Sequence, residues 1–187
     1  KELEFLLLIQ GGEEKADEAE EDQNLGNPLL LCRALDHGVK VIVAHCAGLG
    51  TNEDLDGKER PQVDNFNLFM RLMDDKRYEG LVFGETSAMT QFNRAGKPLH
   101  TILEREDLHG RLVNGSDYPL PAVNMLIRMS PLIKRGYITA EEGESLKEIY
   151  KFNPLLFDFT LKRSLKHPET SRRLPSSVFM RDPAFGV

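Results

Sequence analysis

The sequence predicts an α/β fold of the (β/α)8 TIM-barrel type, present as about four βα units, half of such a barrel, with a helical tail. Three observations predict it. Four short runs, "FLLLIQ", "KVIVAHC", "GLVFGE" and "RLVNGS", are nearly continuous in apolar residues, as parallel strands covered on both faces are. Helical patterns separate them, and successive βα repeats imply parallel strands joined by right-handed crossovers. The chain has 187 residues, whereas a closed barrel takes roughly 200 to 250 or more. The competing fold, a small open doubly wound sheet, wants a glycine-rich phosphate turn after its first strand, and "IQGGEEKA" lacks the G-x-G-x-x-G spacing.

Each helix has its own signals. In "NPLLLCRALDHG" Asn27 can cap, Pro28 suits the first turn and Gly38 ends the helix. In "VDNFNLFMRLMDD" Phe66, Phe69, Met70 and Met73 fall at i, i+3, i+4 and i+7, a stripe that packs on a sheet. "KPLHTILERED" repeats the plan with Leu99, Ile102 and Leu103. After the fourth strand the chain reads as helical through "AVNMLIRMSPLIKRG", then "TAEEGESLKEIYKF" with a capping box of Thr139 and Glu142, then "NPLLFDFTLKRSL". Residues 1–166 are therefore read as one partial barrel domain, and 167–187, with Pro168, Pro175 and Pro183, as an irregular tail. The chain opens at Lys1 and enters an apolar run within a few residues, as a chain starting in mid-domain would.

Composition excludes several partners. No apolar run approaches the roughly 20 residues of a bilayer span, and "LEFLLLIQ" is too short and too acid-flanked for a secretion signal. A cytoplasmic home without membrane association is expected. A net charge of -6 without a basic stripe argues against nucleic acid. Cys32 and Cys46 make no disulfide framework. A small-molecule substrate is expected instead.

In parallel α/β folds the chemistry lies beyond the carboxyl ends of the strands. The residues there are Gln10, His45 with Cys46, Glu85 with Ser87, and Asp117 followed by Tyr118. His45 precedes "AGLG", a flexible glycine turn. A lone histidine at a strand end is often a hydrogen-bonded structural residue, and a lone aspartate is often a cap on the next helix, here one beginning near Ala122. Their occurrence at equivalent positions of different strands points to chemistry and to convergence at one mouth. Glu85 either binds a polar group of a substrate or caps the following helix. Cys46 is expected to pack against a helix, because successive strand residues face opposite sides. The acidic stretch "EEKADEAEEDQN" reads as a solvated loop or a lid, and "GTNEDLDGKERPQ" as substrate cover or a surface insertion. His37, His100, His109 and His167 read as surface residues.

Together "VIVAHCAGLG", "GLVFGETSAM" and "RLVNGSDYPLP" resemble the last three barrel strands of the metal-dependent amidohydrolase superfamily, in its amidohydrolase-related branch. The resemblance runs from about Phe5 to Leu165 and covers the carboxy-terminal half of that barrel. It implies that His45 binds a divalent metal, zinc in the first instance, or contacts the metal-bound water. It implies that Asp117 is a metal ligand and the catalytic base, held in one geometry by Tyr118-Pro119 and Pro121. Gln10, Glu85, Ser87 and Tyr118 would then contact substrate. A metal ion lowers the pKa of its bound water toward 7, and a fixed carboxylate can take the proton.

The departures matter as well. The paired first-strand histidines have no counterpart, and Gln10 stands where the family usually places a histidine; Gln is a poor zinc ligand. Three functions follow: a metal-dependent hydrolase of C-N, ester or lactone bonds, a decarboxylase or lyase on the same scaffold, or a catalytically inactive truncated homologue. Four barrel strands alone leave open edges, so a homo-oligomer or association with a missing amino-terminal half is expected.

Overall fold

The computed structural model describes residues 6–13, 24–123 and 125–180. These fold into two compact units. The first holds 6–86 and the short return 111–113; the second holds 87–110 and 114–180. No helix among the described residues is long and apolar enough to cross a membrane.

The first unit is built on the four expected strands, β1 (Leu6–Gln10), β2 (Lys40–Ala44), β5 (Val82–Glu85) and β6 (Leu112–Val113), all parallel in the order β1-β2-β5-β6. The chain is thus α/β with a four-stranded parallel sheet. Register decides what each face carries. Leu8 pairs with Ile42 and Ile42 with Phe83, and one layer further Gln10 pairs with Ala44 and Glu85 with Val113. With side chains alternating along each strand, Gln10 and Glu85 emerge on the same face, at the carboxyl end of an apolar cluster of Ile42, Phe83 and Val113 with Leu6 packed against it. The opposite face, Val41, Val43, Val82 and Leu112, is buried. Among the described residues no strand pairs with the outer edge of β1, and Leu8 on it is 64% exposed.

Helical elements follow their sequence signals closely. Asn27 accepts the N–H of Leu29, a 3-10 turn at Pro28–Leu31 leads into α1 (Cys32–Leu35), and Gly38 takes the left-handed conformation, φ 75°, that ends the segment. Helix α2 (Asn65–Asp74) buries all four residues of its expected stripe, and Leu68 and Leu72 besides. The ring of Phe69 lies so near the sheet that a Cβ on Gly84 would come within 3.0 Å of it and 2.8 Å of the Cys46 sulfur. Glycine at 84 is what allows this approach. The loop after His45 is an antiparallel hairpin, β3 (Thr51–Glu53) with β4 (Gln62–Asp64). Arg71 holds it by bonds to Asp54 (2.6 Å) and Asp56 (2.8 Å), and the Arg71 guanidinium, with the backbone N–H of Asp56, holds the Asp54 carboxyl below its usual range.

The second unit is helical: α3 (Lys97–Glu104), α4 (Met129–Lys134), α5 (Ala140–Phe152), α6 (Pro154–Ser164) and α7 (Ser177–Met180). Leu99, Ile102 and Leu103 are buried, and the Thr139–Glu142 capping box is complete in both directions. The helix expected across "AVNMLIRMSPLIKRG" differs. A 3-10 turn covers Leu120–Ala122, and α4 starts only at Met129. Pro131 explains the late start: a helix running from Ala122 would place it in the interior, against the carbonyl of Ile127, whereas from Met129 it falls in the tolerated first turn. The tail expected to be irregular carries a bridge between Lys166 and Arg173 and the short α7, with Leu174 and Val178 buried. Most of the acidic stretch, residues 14–23, and the last seven residues, 181–187, lie outside the described residues.

Two histidines read as surface residues are buried. His109 is 7% exposed with Nε2 2.9 Å from the carbonyl of Ile102. His167 is 3% exposed and stands against His100, the two Nε2 atoms 3.3 Å apart, while its Nδ1 accepts the N–H groups of Glu169 and Thr170. These neighbours satisfy the rings, and no periodic pattern marks them because both lie outside the helix stripes. His37 is exposed, as expected.

Candidate functional site

The two strand exits that the sequence marks are both unusual in backbone. At the end of β2, His45, Cys46 and Ala47 have φ of 55°, 50° and 50°. Three successive non-glycine residues in the left-handed region cost about 3–6 kcal/mol at roughly 1–2 kcal/mol each. The glycine turn expected there is met in part: Gly50 takes φ 78°, but Gly48 has φ -72°, and the other special conformations fall on the non-glycine residues His45 to Ala47. The N–H of Gly48 closes the turn on the carbonyl of His45 at 2.9 Å.

Burial and one carboxylate hold this turn. Cys46 and Ala47 are fully buried and His45 is 4% exposed. Glu85, at the end of neighbouring β5, accepts the His45 backbone N–H at 3.2 Å, and its carboxylate lies 3.8 Å from His45 Nδ1. Glu85 thus serves the turn of an adjacent strand. The Cys46 thiol donates to the Glu85 carbonyl at 3.4 Å. Burial, and secondarily the charge of Glu85, push that thiol far up, so Cys46 stays neutral and packs, as expected. The route differs from the expected one: Cys46 belongs to the left-handed turn and not to the strand. Gln10 ends β1 in an exposed position on the same sheet face as Glu85. Thr86, next to Glu85, is 2% exposed, and its hydroxyl has no hydrogen-bond partner among the described residues.

Sequence reasoning missed the support behind this turn. Asn65, fully buried at the start of α2, donates to the Leu49 carbonyl at 3.0 Å and accepts from Asn52 at 2.9 Å. Two asparagines far apart in sequence carry no pattern that could have announced the pair.

Asp117, Tyr118 and Ser87 belong to the second unit. Asp117 is half-buried at φ 56°, and its carbonyl accepts the N–H of Leu120 at 2.9 Å. The cap position of the 3-10 turn that follows is Pro119, so Asp117 is not that turn's cap residue. Tyr118 is 64% exposed with its N–H on Ser116 Oγ, and Ser87 is buried. The exit segment 114–117 is held from two sides. Asn114 N–H bonds the Val178 carbonyl at 3.1 Å, and the ammonium of Lys162, 1% exposed, donates both to the Gly115 carbonyl and to Asp158 at 2.7 Å. Lys162 is the residue that sequence reading passed over. Its signal exists: Asp158 and Lys162 stand four apart on α6, a spacing that puts the two charges side by side on one face.

A divalent metal needs about three protein ligands. Among the described residues no three His, Cys, Asp or Glu side chains gather into such a set, and His45 Nδ1 faces a carboxylate. The donors described do not by themselves fit a catalytic metal ion. No family model matches the chain, and neither a curated protein nor a solved structure matches it.

Proposed function

We propose that the chain supplies four of the eight βα units of an amidohydrolase-type barrel and takes part in hydrolysis of a C-N, ester or lactone bond, with Asp117 as general base and His45 as the polarising group. One observation carries the reading. The two residues singled out by the sequence are both held at positive φ, His45 at 55° directly after β2 and Asp117 at 56° four residues beyond the end of β6, and strained backbone of this kind clusters at functional sites. In the reaction, the Asp117 carboxylate takes a proton from the attacking water as its oxygen bonds the carbonyl carbon. The C-N or C-O bond then breaks, and the leaving group takes up a proton. No step is routed through a metal, because the described donors do not make its ligand set.

Turnover of a panel of amides, esters, lactones and carboxylated aromatics, with bound zinc counted, tests this. Asp117→Asn should lose about 10²- to 10⁴-fold in rate; near wild-type turnover overturns the base role. Release of carbon dioxide from the carboxylated aromatics would assign a lyase, and stoichiometric zinc would restore the metal. A second reading, an inactive homologue, is favoured by Gln10 at a position where a ligand is expected, and absence of turnover across the panel would support it.

A further inference from the structure

The second unit contains a cavity of about 810 Å³, within the size range of small-molecule sites. None of Gln10, His45, Glu85, Ser87, Asp117 and Tyr118 lines it. Its walls are apolar: Pro121, Ile127, Met129, Ile133 and Phe157 line it. They are also fixed. Phe157 is 3% exposed, and the ring of Tyr150 meets it edge-on at 5.1 Å. The Tyr150 hydroxyl donates to the Ala122 carbonyl at 2.7 Å, tying the Leu120–Ala122 turn to α5. A pocket with walls pinned in this way exists before a ligand arrives.

Its charge is one-sided. Arg128, Lys134, Lys147 and Lys151 line the cavity, and among the described residues no acidic one does, on a chain whose net charge is -6. Lys147 and Lys151 stand one turn apart on α5, bonded to Glu144 (2.7 Å) and Glu148 (2.6 Å). Those are solvent-exposed pairs of the kind that contribute little, so a ligand can recruit either lysine. Arg128 stacks on Phe92 at 4.8 Å, which leaves the in-plane N–H donors of the guanidinium to face an oxyanion. Lys134 ends α4 and makes no ion pair with a described residue. An apolar body would remove the walls from water, and an anionic head would meet the lysines and the arginine. A cationic ligand would be repelled, and a neutral one would leave the charges unused.

We propose that this cavity binds a small amphipathic organic anion, an acyl or aryl body bearing a carboxylate or phosphate head. The site does not depend on the hydrolytic reading. Calorimetric titration with octanoate and octyl phosphate below their micelle concentrations should give saturable one-to-one binding for at least one of them. Octanol, octylammonium and acetate should bind at least about tenfold more weakly, the factor expected from one charge-assisted contact or from loss of the apolar body. Lys134→Glu combined with Lys151→Glu should weaken binding of the octyl anion by a similar factor while leaving the thermal midpoint unchanged. Whichever head binds more tightly names the ligand class. The proposal is overturned if octanol binds as well as octanoate, if charge reversal changes nothing, or if neither octyl anion binds. Association with vesicles of anionic lipid, without saturable binding of the free octyl anions, would assign the patch to a membrane surface and also overturn it.

Discussion

The exit of β2 and the exit of β6 carry the same backbone feature and secure it by different means. After β2 three residues are left-handed, and the turn is held by burial: Cys46 and Ala47 are fully enclosed, and Glu85 takes one backbone N–H. After β6 only Asp117 is left-handed, the segment is half-exposed, and a buried ion pair on α6 reaches in to hold the Gly115 carbonyl. Packing fixes a turn through many small contacts that tolerate the loss of one. A buried ion pair concentrates the task in one ammonium, and removing it takes away the bond to the Gly115 carbonyl and the bond to Asp158 together. Strain at a strand exit is therefore not enough to say how robust that exit is.

The largest effect should come from the second exit. Lys162→Met should cost about 1–3 kcal/mol, the range for losing a buried charge-assisted hydrogen bond. Lys162→Arg, which keeps the charge, should cost less. Urea unfolding measures both. A cost under about 1 kcal/mol would remove the ion pair from its supporting role and erase the contrast.

A smaller effect tests the first exit. Ala44 has extended backbone, φ -58° and ψ 141°, whereas Ala47 is left-handed; both are buried. Each exchange to glycine deletes a buried methyl and frees the unfolded chain, but only at 47 does glycine also relieve the left-handed conformation. Ala47→Gly should thus be about 1–2 kcal/mol less costly than Ala44→Gly. Equal costs in a paired denaturation experiment would mean that the turn stores no strain.

The smallest effect supplies a surface reference against which both exits can be read. Glu142 accepts the Thr139 N–H at 2.7 Å, and that bond, with Arg173 nearby, lowers its carboxyl below the usual range. A carboxylate depressed in the folded state contributes stability above its unfolded value, about 4.3, and loses it as pH falls through the folded value. Glu142→Gln should cost about 0.5 kcal/mol near neutral pH, and the difference should shrink as pH falls below about 4.3. A difference independent of pH between 3 and 7 would show that the charge is not what the capping box uses.

Local periodicity and capping determined much of this protein from sequence alone. The four strands, the buried stripes of α2 and α3, the Asn27 cap and the Thr139–Glu142 box each depend on residues within a few positions of one another, where side-chain spacing acts directly. His45, directly after β2, was legible as a strand-end residue for the same reason, whereas Asp117 stands four residues beyond the end of β6. What only the tertiary structure decided involves residues distant in sequence. The left-handed run at His45–Ala47 exists because Glu85, forty positions away, accepts an N–H there and the core encloses Cys46. Lys162 reaches Gly115 across 47 positions, and His167 meets His100 across 67. The cation-lined cavity assembles from α4, α5, α6 and the turn before them. Such pairings are set by how elements pack, and no short-range pattern records them.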